Sequence, residues 1–140
     1  MRVWVGSQIP GGYPCNSLAG FVSTVLDAGY HVKLAGGGHY NASTLYWKVA
    51  EIQKKIPAGI GLTLNSLYIN PHQFGFQFLL WQEMCKEGLP IEGFCITAGI
   101  PSIEKPTMII DSLKNAGIKH VSFKPISVDG IRHVVNITVV

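Results

Sequence analysis

The chain has 140 residues, of which 47% are apolar and only 14% charged, a composition that supports one domain with a sizeable core and excludes a disordered chain. Its 11 basic and 8 acidic side chains give a thinly spread net charge of +3, so nucleic acid is not an expected partner. The three cysteines show no metal-ligand spacing, so we expect a reducing, cytoplasmic compartment and no metal site. No apolar run approaches the roughly 20 residues of a membrane span, so we expect no membrane contact.

The first 18 residues do not follow the sequence pattern of the rest of the chain. A first strand is expected near Val3-Trp4-Val5, but the following Gly6 to Pro10 interrupts it. Residues 1–18 are therefore interpreted as a divergent N-terminal segment, and residues 19–140 as the main domain.

A glycine recurs through this domain at positions 29, 59, 88 and 117, with spacings of 30, 29 and 29 residues. Each follows a small or acidic residue and precedes an apolar segment. A period near 30 is what a repeated βα unit requires. Glycine suits the position just past a helix because the backbone there usually has positive φ.

The segments between these glycines alternate between strand and helix patterns. Strands are predicted at 31–35, 60–64, 93–97 and 120–123, and later helices near 74–87, 103–115 and 127–136. Two earlier helices have N-caps predicted at Asn16 and Asn41. Their apolar faces are predicted to comprise Leu18, Phe21, Val22, Val25 and Leu26, and Leu45, Val49, Ile52 and Ile56. Lys48, Lys54 and Lys55 are expected to form a solvated helix face.

This alternation predicts a parallel α/β fold. The run Gly36-Gly37-Gly38 lacks the Gly-x-Gly-x-x-Gly spacing of a doubly wound nucleotide-binding sheet, which favours a partial (β/α)₈ TIM barrel of four to five βα units. A complete, small doubly wound protein is the alternative, and strand order distinguishes the two.

Ligand sites of parallel α/β folds lie at the carboxyl ends of the strands. There, Gly36 and Gly37 would let backbone approach a flat ring or a phosphate, and Asn65 offers an amide to a heteroaromatic edge. Lys124 ends an apolar strand and would be a fixed cation. His39 is a candidate general acid, although a loop-ordering role is the stronger interpretation.

The residues resemble the enoyl reductase domain of the fungal-type fatty acid synthase β subunit. The similarity runs in order from about Ala19 to Ile137 and includes Leu34 to Asn41, Leu64 to Pro71, Gly88 to Cys95, Ala98 to Ser102 and His120 to Pro125. The resemblance implies an FMN-binding barrel that uses NADPH to reduce an enoyl group on acyl carrier protein. It also implies that Gly36, Gly37, Asn65 and Lys124 face the FMN.

Some features depart from that family. Gly11 to Cys15 keep only the first glycine and the proline of the family's Gly-Met-Thr-Pro-Thr, and Ile126 replaces a glycine after Lys124-Pro125. The Gly-Gly-His-His segment that carries the family's catalytic histidine is not found in the 140 residues. We therefore predict no catalytic residue and no enoyl reductase activity for this chain alone, and aggregation or oligomers when it is isolated. A non-catalytic flavin- or nucleotide-binding module is the alternative function.

Overall fold

The computed structural model describes residues 15–37, 39, 41–102 and 105–138, with the backbone alone for residues 15–18 and 138. The predicted first strand near Val3 lies outside this part. Nine elements follow in chain order: α1 (Cys15–Asp27), β1 (Lys33–Ala35), α2 (Ala42–Gln53), β2 (Leu62–Leu67), α3 (Pro71–Lys86), β3 (Ile91–Thr97), α4 (Lys105–Asn115), β4 (His120–Lys124) and α5 (Val128–Thr138). The predicted parallel α/β class is confirmed.

The four strands form one parallel sheet in the order β1-β2-β3-β4. Each βα unit therefore adds its strand beside the previous one. A doubly wound sheet reverses its strand order at a switch point, and the described sheet contains no reversal. The doubly wound alternative is wrong for this part of the chain, whose order is that of a βα repeat.

The four periodic glycines adopt the conformation that their spacing predicts. Gly29, Gly59, Gly88 and Gly117 have φ of +81°, +87°, +86° and +91°. The first three have no heavy atom within 4 Å of an added Cβ. Their backbone conformation, not crowding, explains the residue type.

Asparagine side chains begin two of the helices. Asn41 Oδ1 accepts the backbone N–H of Thr44 at 2.9 Å, which confirms its predicted N-cap. Asn70 caps α3 in the same way by accepting from Gln73 N at 3.1 Å. The N-cap predicted at Asn16 is wrong because the chain is already helical at Cys15.

The core lies between the sheet and the helices. Phe94 and Leu64 of the sheet and Trp81 of α3 are fully buried there, and the rings of Phe74 and Phe78 lie 5.8 Å and 6.0 Å from that of Phe94. On α2, Leu45, Val49 and Ile52 are buried as predicted.

Two predictions about helix faces fail. Phe21 is 45% exposed, since α1 buries Ala19, Val22, Ser23 and Leu26 instead. Lys48 is only 1% exposed, not solvated. It lies one turn from Leu45 and Ile52 on the packed face of α2. Lys54 is exposed, with its ammonium 2.7 Å from Glu51.

Candidate functional site

One face of the sheet is polar, although the other is packed with apolar side chains. Because side chains alternate along a strand, the paired residues of successive strands form rows across this face. One row contains Ala35, Asn65, Cys95 and Ser122, and the next towards the carboxyl ends contains Leu67, Thr97 and Lys124. The helices cover the opposite face, so this polar face is where a ligand could meet the sheet.

Asn65, Thr97 and Lys124 form a polar edge near the carboxyl ends of β2, β3 and β4. The Thr97 hydroxyl donates to Asn65 Oδ1, and Thr97 is the register partner of Lys124 on β4. The backbone N–H of Gly36 donates to the carbonyl oxygen of Asn65 at 2.8 Å. Of the four predicted site residues, Gly36 and Gly37 therefore follow β1, Asn65 lies on the neighbouring β2, and Lys124 ends β4 on the far side of β3.

Gly36 and Gly37 have different surroundings. Gly36 is buried, and a Cβ there would lie 2.7 Å from both the Asn65 carbonyl oxygen and Gln77 Oε1. That crowding alone requires glycine. Gly37 is exposed, and the nearest atom to an added Cβ is Leu67 Cδ1 at 3.7 Å. Gly37 is thus the glycine of this pair with open space for a ligand.

His39 closes the loop, since its backbone N–H donates to the carbonyl oxygen of Gly36 at 3.2 Å. Its side chain is 6% exposed. Burial lowers the pKa of His39 below its usual value of 6.5, and the positive charge of Lys48 lowers it further. The imidazole is therefore neutral at pH 7, a state that cannot donate a proton as an imidazolium acid.

The end of β3 carries backbone strain. Ala98, directly after Thr97, has a φ of +58°, which costs about 1 kcal/mol for a residue with a Cβ. Such outliers cluster at functional sites. Gly99 follows, with Tyr68 Cδ1 3.1 Å from the position of an added Cβ. This strained turn borders the same edge as Asn65 and Lys124.

Other polar residues near the second strand end serve the fold. Ser66, Tyr68 and Asn70 are the polar residues that follow Asn65 at the end of β2. Ser66 points to the helix side and donates to Gln77 Oε1 at 2.7 Å. The Tyr68 ring packs against Phe74 with centroids 5.0 Å apart, and Asn70 caps α3. Asn65 alone of these four faces the polar row.

Two features of the site were not predicted. Thr97 was predicted as the end of the strand at 93–97 but not as a site residue, although its alternation with Cys95 and Gly93 places it on the polar face. The buried glutamines of α3, Gln73 and Gln77, were not singled out. Gln73, Gln77 and the buried Trp81 follow one another at intervals of four residues, which is the signal that could have identified the glutamines.

A shallow cavity of about 250 Å³ opens at the amino ends of the strands, and His31, Lys33, Lys119 and His120 contribute to its lining. Lys33 reaches across the sheet, with its ammonium 3.2 Å from Cys95 Sγ and 3.3 Å from Ser122 Oγ. Within the described ranges, no three His, Cys, Asp or Glu side chains are grouped to hold a metal ion. No helix of that part has the length and apolar character to cross a bilayer.

No family model matches the chain. Individual proteins do, and fatty acid synthases of several fungi are among them. Fatty acid synthase 2 of Mycosarcoma maydis is 55% identical over 108 residues, which are 77% of this chain. The fatty acid synthase beta subunit pigK of Monascus ruber is 40% identical over 130 residues, or 93% of the chain. The fatty acid synthase subunit beta of Saccharomyces cerevisiae is 34% identical over 129 residues, or 92%.

The chain spans a small part of these relatives: 3% of the length of the first and 6% of each of the other two. The matched region includes most of the described sheet and helices. The chain is therefore a homologue of one short segment of fungal fatty acid synthase β subunits.

Proposed function

We propose that the chain is part of the FMN- and NADPH-dependent enoyl reductase domain of a fatty acid synthase β subunit, and that its sheet is one half of a (β/α)₈ barrel. The observation that carries this is the convergence of Gly36, Asn65, Thr97 and Lys124 at one edge of a singly wound parallel sheet. Barrel enzymes bind substrates and cofactors at this edge. The rest of the subunit and acyl carrier protein are the proposed partners.

The donors of this edge fit a flavin. Asn65 Oδ1 accepts the Thr97 hydroxyl, which leaves the amide nitrogen of Asn65 to donate to a ring carbonyl. Lys124 would hold its cation near an electron-rich part of the ring or near the phosphate. Gly37 offers open space and a backbone N–H. FMN, once reduced by NADPH, would supply the hydride for the enoyl group.

Lys124 and Lys119 provide a matched test because they lie at opposite ends of β4. Lys119 directly precedes the strand, and Lys124 is its last residue. In the natural full-length polypeptide, Lys124→Met should weaken FMN binding about tenfold, as expected for a lost charge-assisted hydrogen bond. Lys119→Met should leave the affinity unchanged. Quenching of flavin fluorescence measures both. Equal affinities for the two variants, or no FMN binding by the parent, would refute the proposal.

Measurements of FMN binding and of turnover distinguish an enoyl reductase from a non-catalytic binding module, the two functions that the sequence leaves open. We expect the 140-residue chain alone to show no NADPH-dependent reduction of an enoyl thioester, as monitored by absorbance at the NADPH band. Retained FMN affinity without turnover in the full-length polypeptide would favour the non-catalytic binding module. Substantial turnover by the 140-residue chain would contradict our expectation.

A further inference from the structure

Two buried glutamines of α3 hold the glycine loop after β1. Gln73 Nε2 donates to the carbonyl oxygens of Gly36 and His39 at 3.2 Å and 3.1 Å. Gln77 Nε2 donates to the same two oxygens at 2.8 Å and 3.2 Å. Both side chains are almost completely buried, at 3% and 0% exposure. Their amide donors are thus directed at the loop backbone, not at water.

The loop determines which end of the Gln77 amide faces it, because the carbonyl oxygens of Gly36 and His39 can only accept and therefore require the nitrogen end. The hydroxyl of Ser66 on β2 donates to Gln77 Oε1 at 2.7 Å and so satisfies the oxygen end. A buried chain of hydrogen bonds therefore links β2, α3 and the loop.

This network sets the direction of one peptide group. The described chain contains no cis peptide bond, and in a trans peptide the C=O and the following N–H point in opposite directions. Since the carbonyl of Gly36 points towards Gln73 and Gln77, the N–H of Gly37 points away from α3. Gly37 is exposed, with open space around it.

We propose that Gln73 and Gln77 are positioning residues that orient the Gly36–Gly37 peptide, so that the Gly37 N–H is presented to an oxygen of the bound flavin. The inference rests on the proposed function for the identity of the ligand, but not for the orientation of the loop. Without the network, the loop would have to order itself when the ligand binds, and that ordering would weaken affinity.

Gln82 offers a matched control on the same helix. It is also buried, at 8% exposure, but its amide donates to Phe78 O at 3.0 Å and accepts from Ser112 of α4 at 2.8 Å. Gln77→Met and Gln82→Met each remove a buried amide from α3. Only the first removes a donor to the loop. Ser66→Ala is a milder second variant in case Gln77→Met fails to fold.

Two measurements on the full-length polypeptide and its variants decide the matter. Hydrogen exchange of peptides that cover residues 36–41 should accelerate about tenfold in Gln77→Met, the equivalent of one net hydrogen bond, and less in Ser66→Ala. FMN affinity should fall by a similar factor. Gln82→Met should lower the melting temperature comparably but change neither loop exchange nor FMN affinity.

Each outcome has a distinct meaning. Unchanged loop exchange in Gln77→Met would overturn the positioning role. Faster loop exchange with unchanged FMN affinity would overturn the presentation of Gly37 to the flavin. If the parent does not bind FMN, the proposed function fails, and loop exchange alone then decides whether the glutamines orient the loop.

Discussion

The indole N–H of Trp81 on α3 donates a 2.9 Å hydrogen bond to the carbonyl oxygen of Gly93 on β3. Trp81 is fully buried, so α3 is joined to the sheet by both a large apolar contact and a directed polar one. Position 93 requires glycine for a different reason, since the three nearest atoms to an added Cβ all belong to Thr63, its register partner on β2.

Trp81→Phe should therefore lower the free energy of unfolding by about 2–4 kcal/mol, since it removes buried volume and leaves a buried carbonyl with one partner fewer. Urea denaturation followed by circular dichroism measures the change. Trp47, which is 48% exposed on α2, is the control. Trp47→Phe should change stability by no more than about 0.5 kcal/mol. Similar losses in both variants would contradict the interpretation.

Two glycines on or next to α3 should respond to alanine in opposite directions. Gly75 is inside the helix and has no atom within 4 Å of an added Cβ, so Gly75→Ala should stabilise the protein by about 0.5–1 kcal/mol. Gly88 has equally open space but a φ of +86°, so Gly88→Ala should destabilise it by about 1 kcal/mol. Thermal unfolding of the two variants gives the signs. A shared sign would show that backbone conformation is not the deciding factor.

Alanine substitutions at Gly36 and Gly37 should also differ in their effect on stability. Gly36→Ala places a Cβ against the Asn65 carbonyl oxygen, which cannot move without disturbing the sheet, so we expect a loss of about 1–3 kcal/mol. Gly37→Ala should remain within about 0.5 kcal/mol of the parent. Chemical denaturation compares them, and equal stabilities would argue against the close packing of Gly36 on β2.

His39 should make stability depend on pH. Its pKa is lowered in the folded state by burial and by Lys48, so the unfolded chain takes up a proton first as the pH falls. The contribution of this group is complete above the unfolded pKa near 6.5 and is lost as the pH decreases towards the lower folded pKa. Denaturation between pH 8 and pH 5 should show this decline.

His39→Gln should flatten the pH dependence, whereas His72→Gln, at an exposed position, should leave it in place. The comparison concerns the slope of the unfolding free energy against pH, so a general loss of stability in either variant does not affect it. An unchanged slope in His39→Gln would mean that other groups cause the decline.

The 140-residue chain should associate when it is isolated. Ile126, Val128, Ile131 and Val135 are between 52% and 75% exposed on and before α5, and such grouped apolar side chains favour contact with another surface. Sedimentation velocity at increasing concentration should show self-association. Ile131→Glu combined with Val135→Glu should reduce it, and Phe21→Glu on the distant α1 serves as a control. A parent that stays monomeric at all concentrations would contradict the prediction.

The sequence predicts the repeat better than the site. Gly29 and its three counterparts are identifiable because a positive φ after a helix strongly selects glycine, and the strand and helix order follows from their period. The burial of Lys48 was missed because lysine on a helix is usually solvated, and only the packing of neighbouring elements reveals the exception. Gln73 and Gln77 were missed because glutamine is also mostly exposed in proteins, although their spacing from Trp81 offered a signal. Asn65 was placed at the strand tip, but β2 continues to Leu67, so the residue lies inside the strand.

The two ends of the strands have separate roles, and this separation bears on how related synthases could diverge. The four periodic glycines precede the strands, whereas Gly37 and Lys124 lie at or just after the carboxyl ends of β1 and β4. Loops at the carboxyl ends of the strands can therefore be exchanged between homologous subunits, while the glycine turns at the amino ends stay intact. Grafting a βα loop from a homologous subunit is the corresponding engineering route, because it alters what the sheet presents without altering how the sheet is built.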